Sequence, residues 1–238
     1  MFYLKKNLLI IAIPFFLTAC SIENVKRSSA IYKPDDVVLQ HLYYLSSNAL
    51  EGRRTGTVGN ALAQNYIIKQ LKENHVNYWG NQYLSPFSIK SLFTKAQGKN
   101  IVGVIKGTEF PHKYIVLSAH YDHLGKKGRK IFNGADDNAS GTAALLHFAK
   151  LIQASPLRHS IIILFTDGEE INLTGAKAFI EQNPKLISQT LLNINIDMIA
   201  GSNKTKRLHY ITRGLTQLLS SEKIIDLQQE TYPIVLKK

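Results

Sequence analysis

Residues 161–170 have the sequence Ile-Ile-Ile-Leu-Phe-Thr-Asp-Gly-Glu-Glu, in which an unbroken apolar run ends in an acidic turn. The run does not alternate between apolar and polar side chains, so the strand that it predicts would be buried on both faces. Such strands occur in parallel or mixed sheets that are covered by helices on both sides. The stretch therefore predicts an α/β domain with acidic residues at the carboxyl end of a central strand.

The segments around this run alternate between strand and helix patterns, which is typical of a layered α/β domain. The predicted elements are strands at 100–105, 114–118 and 191–196 and helices at 37–50, 61–73, 141–153 and 174–182. Spacing on the second helix predicts a buried stripe of Leu62, Tyr66, Ile67 and Leu71. Ser140 is placed to cap the helix that starts at residue 141.

Histidine and acidic residues follow the predicted strands, at the edge where open α/β sheets bind ligands. They are His120, Asp122 and His123 after the strand at 114–118, Asp167, Glu169 and Glu170 after the central strand, and Asp197 after the last strand. Carboxylates that lie close together repel one another, so a cation is the natural counterpart. Imidazole and carboxylate together suit Zn²⁺. The pattern predicts a zinc site at this edge of the sheet.

Four segments in order resemble the motifs of the co-catalytic zinc aminopeptidases, the metallopeptidase family twenty-eight that includes secreted bacterial leucyl aminopeptidases. They are residues 118–125, residues 134–141, Glu169-Glu170 with Leu173 and Gly175, and Asn195-Ile196-Asp197-Met198. Leu50-Glu51-Gly52-Arg53 is similar to the family's N-terminal motif, and the resemblance covers about residues 38–200. It implies a three-layer αβα sandwich around a mixed, mostly parallel sheet, in a domain at 37–238.

The resemblance also implies roles for individual residues in the hydrolysis of N-terminal peptide bonds. The implied ligands of two zinc ions are His120, Asp137, Glu170 and Asp197, with Asp137 bridging both ions and followed by a cis peptide bond. Asp137 is chosen over Asp136 because the family's bridging aspartate stands four residues before a glycine, which is Gly141 here. Asp122 would orient His120, and Glu169 would be the general base. For the remaining polar residues we expect His123 to line the pocket, Asp136 to cap its loop, and Arg53 and Arg54 to form a solvated turn.

One feature departs from the family pattern, in which a final histidine far downstream completes the second zinc. Only His209 follows Asp197, and its surroundings predict a half-exposed strand in place of a ligand. We therefore expect a C-terminally truncated chain that lacks its last strands and helices and has an impaired second site. The alternative is that Glu222, Glu230 or a second chain supplies the ligand.

The N-terminal segment resembles a bacterial lipoprotein signal. Lys5 and Lys6 precede the apolar stretch 8–17, which is too short to span a bilayer comfortably. Leu17-Thr18-Ala19-Cys20 is similar to a lipobox, which implies a signal peptide at 1–19, acylation of Cys20 and a tether at 20–36. Ser21 favours the outer membrane, facing the periplasm, with membrane contact through the lipid anchor only. The alternative is an ordinary signal peptide with an incidental cysteine.

The formal charge of +12 comes from scattered basic residues, with no run interleaved with aromatics, so nucleic-acid binding is not predicted. Three functions remain. The first is a zinc exopeptidase that acts on peptide or protein N-termini at the cell envelope. The second is a degenerate, non-catalytic lipoprotein that binds peptides or partners. The third is a one-zinc acyl-transfer enzyme such as glutaminyl cyclase, against which the joint presence of His120, Asp137 and Asp197 argues.

Overall fold

A six-stranded mixed sheet organises the residues that the computed structural model describes, which are 36–90, 95–200, 209–210 and 235–236. The helices are α1 (Asp36–Leu45), α2 (Val58–Glu73), α3 (Gly141–Ala154), α4 (Thr174–Gln182) and α5 (Pro184–Ser188), with a short 3₁₀ helix at Asn48–Leu50 and a kinked turn at Ala135–Ser140 whose backbone is not helical at Asp137 and Asn138. The strands are β1 (Asn77–Tyr78), β2 (Leu84–Lys90), β3 (Lys95–Ile105), β4 (Phe110–His120), β5 (Gly125–Lys127), β6 (Lys130–Phe132), β7 (His159–Thr166), β8 (Thr190–Asn195), β9 (His209–Tyr210) and β10 (Val235–Leu236).

The sheet has the order β1-β3-β7-β4-β8, and β2 pairs with β3. Strands β4, β7 and β8 run parallel, whereas β3 is antiparallel to β1, β2 and β7. The sheet is mixed, as predicted, but it is not mostly parallel among the described strands, since two of its five pairings are parallel and three are antiparallel. The parallel pairings are confined to the three strands that lead into the candidate ligands. Among the described strands β8 lies at one edge of this sheet, and Leu191 and Ile194 are exposed on it.

The apolar run in β7 is buried on both faces, as predicted, with every residue from Ile161 to Phe165 at most 5% exposed. Its side chains alternate between two apolar clusters because successive residues of a strand point to opposite faces. Ile161, Ile163 and Phe165 pack with α1, α2 and α3, and Ile162 and Leu164 pack with α4 and α5. The sheet is therefore the middle layer of an αβα sandwich.

The helices differ from the predictions in several respects, and the first of them, α1, ends at Leu45 in place of residue 50. Helix α2 starts at Val58, three residues early, because the Thr57 side chain accepts a hydrogen bond from the Asn60 backbone and caps it. On this helix Leu62 is 38% exposed and Ala63 is buried instead, so that part of the predicted stripe is wrong. Ser140 does not cap α3, because its backbone is already helical and its hydroxyl donates to the Asp136 carbonyl.

Several predictions fall on residues outside the described ranges. These are the signal peptide, acylated Cys20 and most of the tether, together with Glu222 and Glu230. His209 lies in strand β9, which pairs in parallel with β10. Among the described residues, none of the helices combines the length and apolar character needed to span a bilayer.

Candidate metal centre

The carboxyl ends of β4, β7 and β8 bring the first group of candidate ligands together. In the parallel register His120 lies opposite Thr166, and Ser118 lies opposite Asn195. His120 Nε2 is 3.2 Å from Asp137 Oδ1 and 3.3 Å from Asp197 Oδ1. Three donors from separate segments of the chain thus converge as the sequence predicted, within the spacing that one metal ion requires.

A second group of donors lies beside the first and shares Asp137. Glu170, which was predicted as a ligand, has its Oε1 atom 2.9 Å from Nδ1 of His123. The same nitrogen is 3.5 Å from Asp137 Oδ2. The expectation that His123 only lines the pocket is therefore wrong, because its ring lies directly against two predicted ligands. Asp137 presents one oxygen to each group, as a bridging carboxylate must.

The turn that carries Asp137 is anchored to the end of β8. Asn138 donates from its side chain to the Ile196 carbonyl at 2.9 Å and accepts from the Gly141 and Met198 backbones at 2.9 and 3.2 Å. Gly141 permits this close approach, because a Cβ there would lie 2.4 Å from the Ile196 carbonyl oxygen. The Asp137–Asn138 peptide bond is cis, as the resemblance implied.

Asp136, by contrast, faces away from the predicted ligands. Its Oδ1 atom accepts a hydrogen bond from the Ala200 backbone at 3.0 Å. Its carbonyl accepts one from the Ser140 hydroxyl at 2.7 Å. The side chain thus fastens its own loop to the segment after Asp197, in agreement with the choice of Asp137 as the candidate ligand.

Asp122 orients more than the imidazole of His120. Its carboxylate accepts hydrogen bonds from the backbone of Glu169 at 3.1 Å and of Glu170 at 3.3 Å. Its Oδ1 is 3.6 Å from His120 Nδ1, and that nitrogen lies nearer, at 3.2 Å, to the Asp122 carbonyl. A proton on Nδ1 that is shared with this carbonyl leaves Nε2 free to bind a metal.

A buried network behind Asp122 was not predicted from the sequence. Asp167 is fully buried and accepts hydrogen bonds from the Thr55 hydroxyl, the Asn60 side chain and the Lys99 backbone. Burial and the nearby Asp122 carboxylate raise the pKa of Asp167 to about 6, and these hydrogen bonds oppose the shift. The network joins the turn after residue 54 to the acidic turn after β7.

Arg53 is also buried, and the prediction that it belongs to a solvated turn is wrong, whereas Arg54 is exposed. The guanidinium group of Arg53 donates to four carbonyl groups from three segments around the metal centre. The acceptors are Tyr121 at 2.8 Å, Asn133 at 2.7 Å, Gly134 at 3.0 Å, and Leu45. Burial lowers the pKa of Arg53 to about 10, against the attraction of Asp122 and Asp137, so the group remains a cation at neutral pH.

The charges of the centre favour a bound cation. Burial raises the pKa of both Glu169 and Glu170, and the surrounding carboxylates add to the shift against the attraction of His120. Burial opposes protonation of His120, yet the hydrogen bonds and charges of Asp122 and Asp197 raise its pKa to about 10. These shifts reflect carboxylates crowded around one imidazole, a repulsion that a bound cation would relieve, and the donor set of imidazole and carboxylate fits zinc.

A cavity of about 260 Å³ opens beside the first ligand group. His120, Glu169 and Asp197 lie on its wall, together with the polar side chains of Ser118, Thr166, Asn193 and Asn195. The rest of its wall is mostly apolar and is contributed by β4, β7, α4 and α5, including Val116, Leu164, Leu173, Ala176, Phe179, Ile180 and Ile187. A molecule that entered this cavity would meet both the candidate metal and the candidate base.

Comparison with known proteins decides the family. The family model described as Peptidase family M28 matches residues 100–232, more than half of the chain. The chain belongs to this peptidase family. Its relatives include the Bacillus subtilis aminopeptidase YwaD, which is 30% identical over 112 residues that make up 46% of this chain and 24% of that protein. The Escherichia coli alkaline phosphatase isozyme conversion protein is 25% identical over 203 residues, which cover 79% of this chain and 57% of that protein.

Solved structures of bacterial aminopeptidases have the same fold. A Bacillus subtilis zinc aminopeptidase matches with a TM-score of 0.70 at 14% identity, over 85% of this chain and 79% of that one. The LapA aminopeptidase of Legionella pneumophila matches with a TM-score of 0.63 at 22% identity, over 84% of this chain and 54% of that one. The chain spans about a quarter of the length of YwaD and about half of the length of LapA.

Proposed function

We propose that the chain is a zinc-dependent aminopeptidase that hydrolyses the first peptide bond of peptides or proteins. The observation that carries this proposal is the pair of ligand groups that share Asp137 at the sheet edge, with Glu169 on the wall of the adjoining cavity. Membership of the M28 peptidase family supports it. So do the aminopeptidases among its relatives and structural neighbours.

The residues present would hold zinc in two positions. His120, Asp137 and Asp197 surround the first position, and Asp137 and Glu170 reach the second. Bound zinc supplies the Lewis acidity that activates water and polarises a carbonyl group. The bridging place of Asp137 supports a centre of two ions over the single ion of a cyclase-type enzyme.

Glu169 is the residue that we propose to move the proton. Its pKa is raised by burial and by nearby carboxylates, which makes it a stronger base at neutral pH than an exposed glutamate. It would accept the proton of the attacking water and deliver it to the leaving amine. The hydrogen bond from its backbone N–H to Asp122 fixes where the side chain starts, and the residue lines the wall of the cavity.

The site of action that we propose is the cell envelope. The lipobox-like Leu17-Thr18-Ala19-Cys20 supports an acylated Cys20 that tethers the domain to the outer membrane. Labelling cells with a palmitate analogue tests this. The Cys20→Ala variant should lose the label and leave the membrane fraction. A variant that keeps both would contradict the anchor.

Hydrolysis of aminoacyl-nitroanilides tests the enzymatic proposal. The same compounds with acetylated amino groups are the matched control, since an aminopeptidase requires a free N-terminus. We expect turnover of the free compounds only, loss of turnover with a chelator, and recovery when zinc is added back. If a folded and zinc-loaded chain hydrolysed none of a panel of aminoacyl-nitroanilides at a measurable rate, the result would favour a peptide-binding protein without catalysis.

A further inference from the structure

His123 is nine-tenths buried, and its Nδ1 atom is aimed into the second ligand group. The side chain is 9% exposed. Nδ1 makes no hydrogen bond with any described residue, although carboxylate oxygens of Glu170 and Asp137 lie 2.9 and 3.5 Å away. A buried ring nitrogen without a hydrogen bond is costly unless another partner occupies its lone pair.

The spacing of these donors is that of atoms around one metal ion. Ligands at about 2.0–2.1 Å from a tetrahedral zinc lie about 3.3 Å from one another. In the first group the two distances from His120 Nε2 are 3.2 and 3.3 Å. In the second group the distances from His123 Nδ1 are 2.9 and 3.5 Å, which bracket the same value. The two groups are therefore equivalent in donor type and in size.

The backbone around His123 holds the ring in this position. A Cβ atom on Gly134 would lie 2.5 Å from His123 Cδ2, so the ring packs flush against a backbone that only glycine leaves open. Gly134 has a positive φ of 59°, which glycine adopts without strain. Its carbonyl accepts a hydrogen bond from Arg53, whose own carbonyl faces the His123 backbone N–H at 3.4 Å. The ring is thus positioned by the loop that leads into Asp137.

We propose that His123 is the imidazole ligand of the second zinc position, through Nδ1, together with Asp137 Oδ2 and Glu170 Oε1. The assignment rests on the proposed zinc-dependent function. It gives each of the two positions one imidazole and a share of the bridging Asp137. It also supplies the second position with a histidine that stands three residues after His120, at the same strand end.

Zinc titration of the metal-free full-length chain tests the assignment, with bound metal counted by elemental analysis and native mass spectrometry. The test variant is His123→Gln, and the matched control is His112→Gln, since His112 is exposed and belongs to neither ligand group. We expect two zinc ions per chain in the unsubstituted protein and in the control, and one in His123→Gln. Two ions bound by His123→Gln with unchanged affinity would overturn the assignment.

The outcomes separate this inference from the proposed function. A chain that binds no zinc would overturn both. One zinc ion in the unsubstituted chain and an unchanged single ion in His123→Gln would overturn the role of His123 and leave a one-metal enzyme. Circular dichroism and thermal unfolding of the metal-free variants check that any loss of zinc does not come from misfolding.

X-ray absorption at the zinc edge gives a measurement that needs no substitution. With two equivalents of zinc bound, His120 and His123 together provide an average of one imidazole ligand per ion. Half an imidazole per ion would mean that His120 binds alone, and would overturn the assignment even if His123→Gln failed to fold.

Discussion

Replacing Arg53 by lysine should destabilise the chain strongly, although the charge is kept. The guanidinium group donates to the carbonyls of Leu45, Tyr121, Asn133 and Gly134, which belong to separate segments around the metal centre. A lysine ammonium group is a compact donor that cannot match this planar fork. In Arg53→Lys two or three of these carbonyls would remain buried without a partner.

The size of the effect follows from the number of lost hydrogen bonds. A hydrogen bond to a charged group contributes about 1.5–3 kcal/mol, so the loss of two gives about 3–6 kcal/mol. The free-energy cost of burying the charge, reflected in a pKa lowered to about 10, does not offset this loss because the buried lysine is charged as well. For a domain of this size, about 2–4 °C per kcal/mol converts the loss into a thermal midpoint about 6–24 °C lower.

Urea unfolding followed by circular dichroism measures the change, and Arg54→Lys is the matched control because the neighbouring Arg54 is exposed. The control should unfold within about 0.5 kcal/mol of the unsubstituted chain. If Arg53→Lys also unfolded within about 1 kcal/mol of it, the four hydrogen bonds would not brace the centre, and the reasoning would be refuted.

Three further predictions concern the surroundings of the centre. Asp122→Asn turns one oxygen into a donor that faces the backbone N–H groups of 169–170, so steady-state kinetics should show a rate lowered by about 10–100-fold; an unchanged rate would contradict the orienting role. Gly59→Ala places a Cβ 1.9 Å from the Leu50 carbonyl oxygen and should lower the free energy of unfolding by about 1–3 kcal/mol or more, and an unchanged midpoint would show that α2 moves freely. Because the pKa of Asp167 is raised from 3.8 to about 6, the folded state binds its proton more tightly, and this residue's contribution to stability falls by about 2 kcal/mol as pH rises from 4 to 6. Urea unfolding across this range should show a smaller fall in Asp167→Asn, and identical pH profiles would contradict the shift.

The layered fold could be predicted because its signals are local. The run from Ile161 to Phe165 has no alternation, which only a strand covered on both faces explains, and the structure confirms it. The start of α2 could not be placed, because the capping hydrogen bond at Thr57 outweighs the apolar period that begins at residue 61. The burial of Ala63 in place of Leu62 likewise depends on the helices that pack around it.

The candidate ligands could be predicted because each one ends a strand or follows a glycine turn. The residues that support the candidate ligands could not be predicted, since their contacts join distant parts of the chain. Arg53 stands beside Arg54 in a glycine-containing turn, a pattern that elsewhere is solvated, and only the tertiary structure separates the two. From the sequence, His123 was expected only to line the pocket. In the structure the His123 ring lies beside Asp137, a contact that sequence spacing does not reveal.

Comparison of Glu169→Gln with the unsubstituted chain is the most direct test of the central claim, that this sheet edge is a zinc-dependent hydrolytic centre with Glu169 as its base. Zinc content and turnover of a free aminoacyl-nitroanilide are measured on the same samples. The substitution keeps the shape of the side chain and removes its basicity. We predict unchanged zinc content and a rate lowered by about 10²–10⁴-fold. A zinc-loaded Glu169→Gln variant that retains the rate of the unsubstituted chain would contradict the claim.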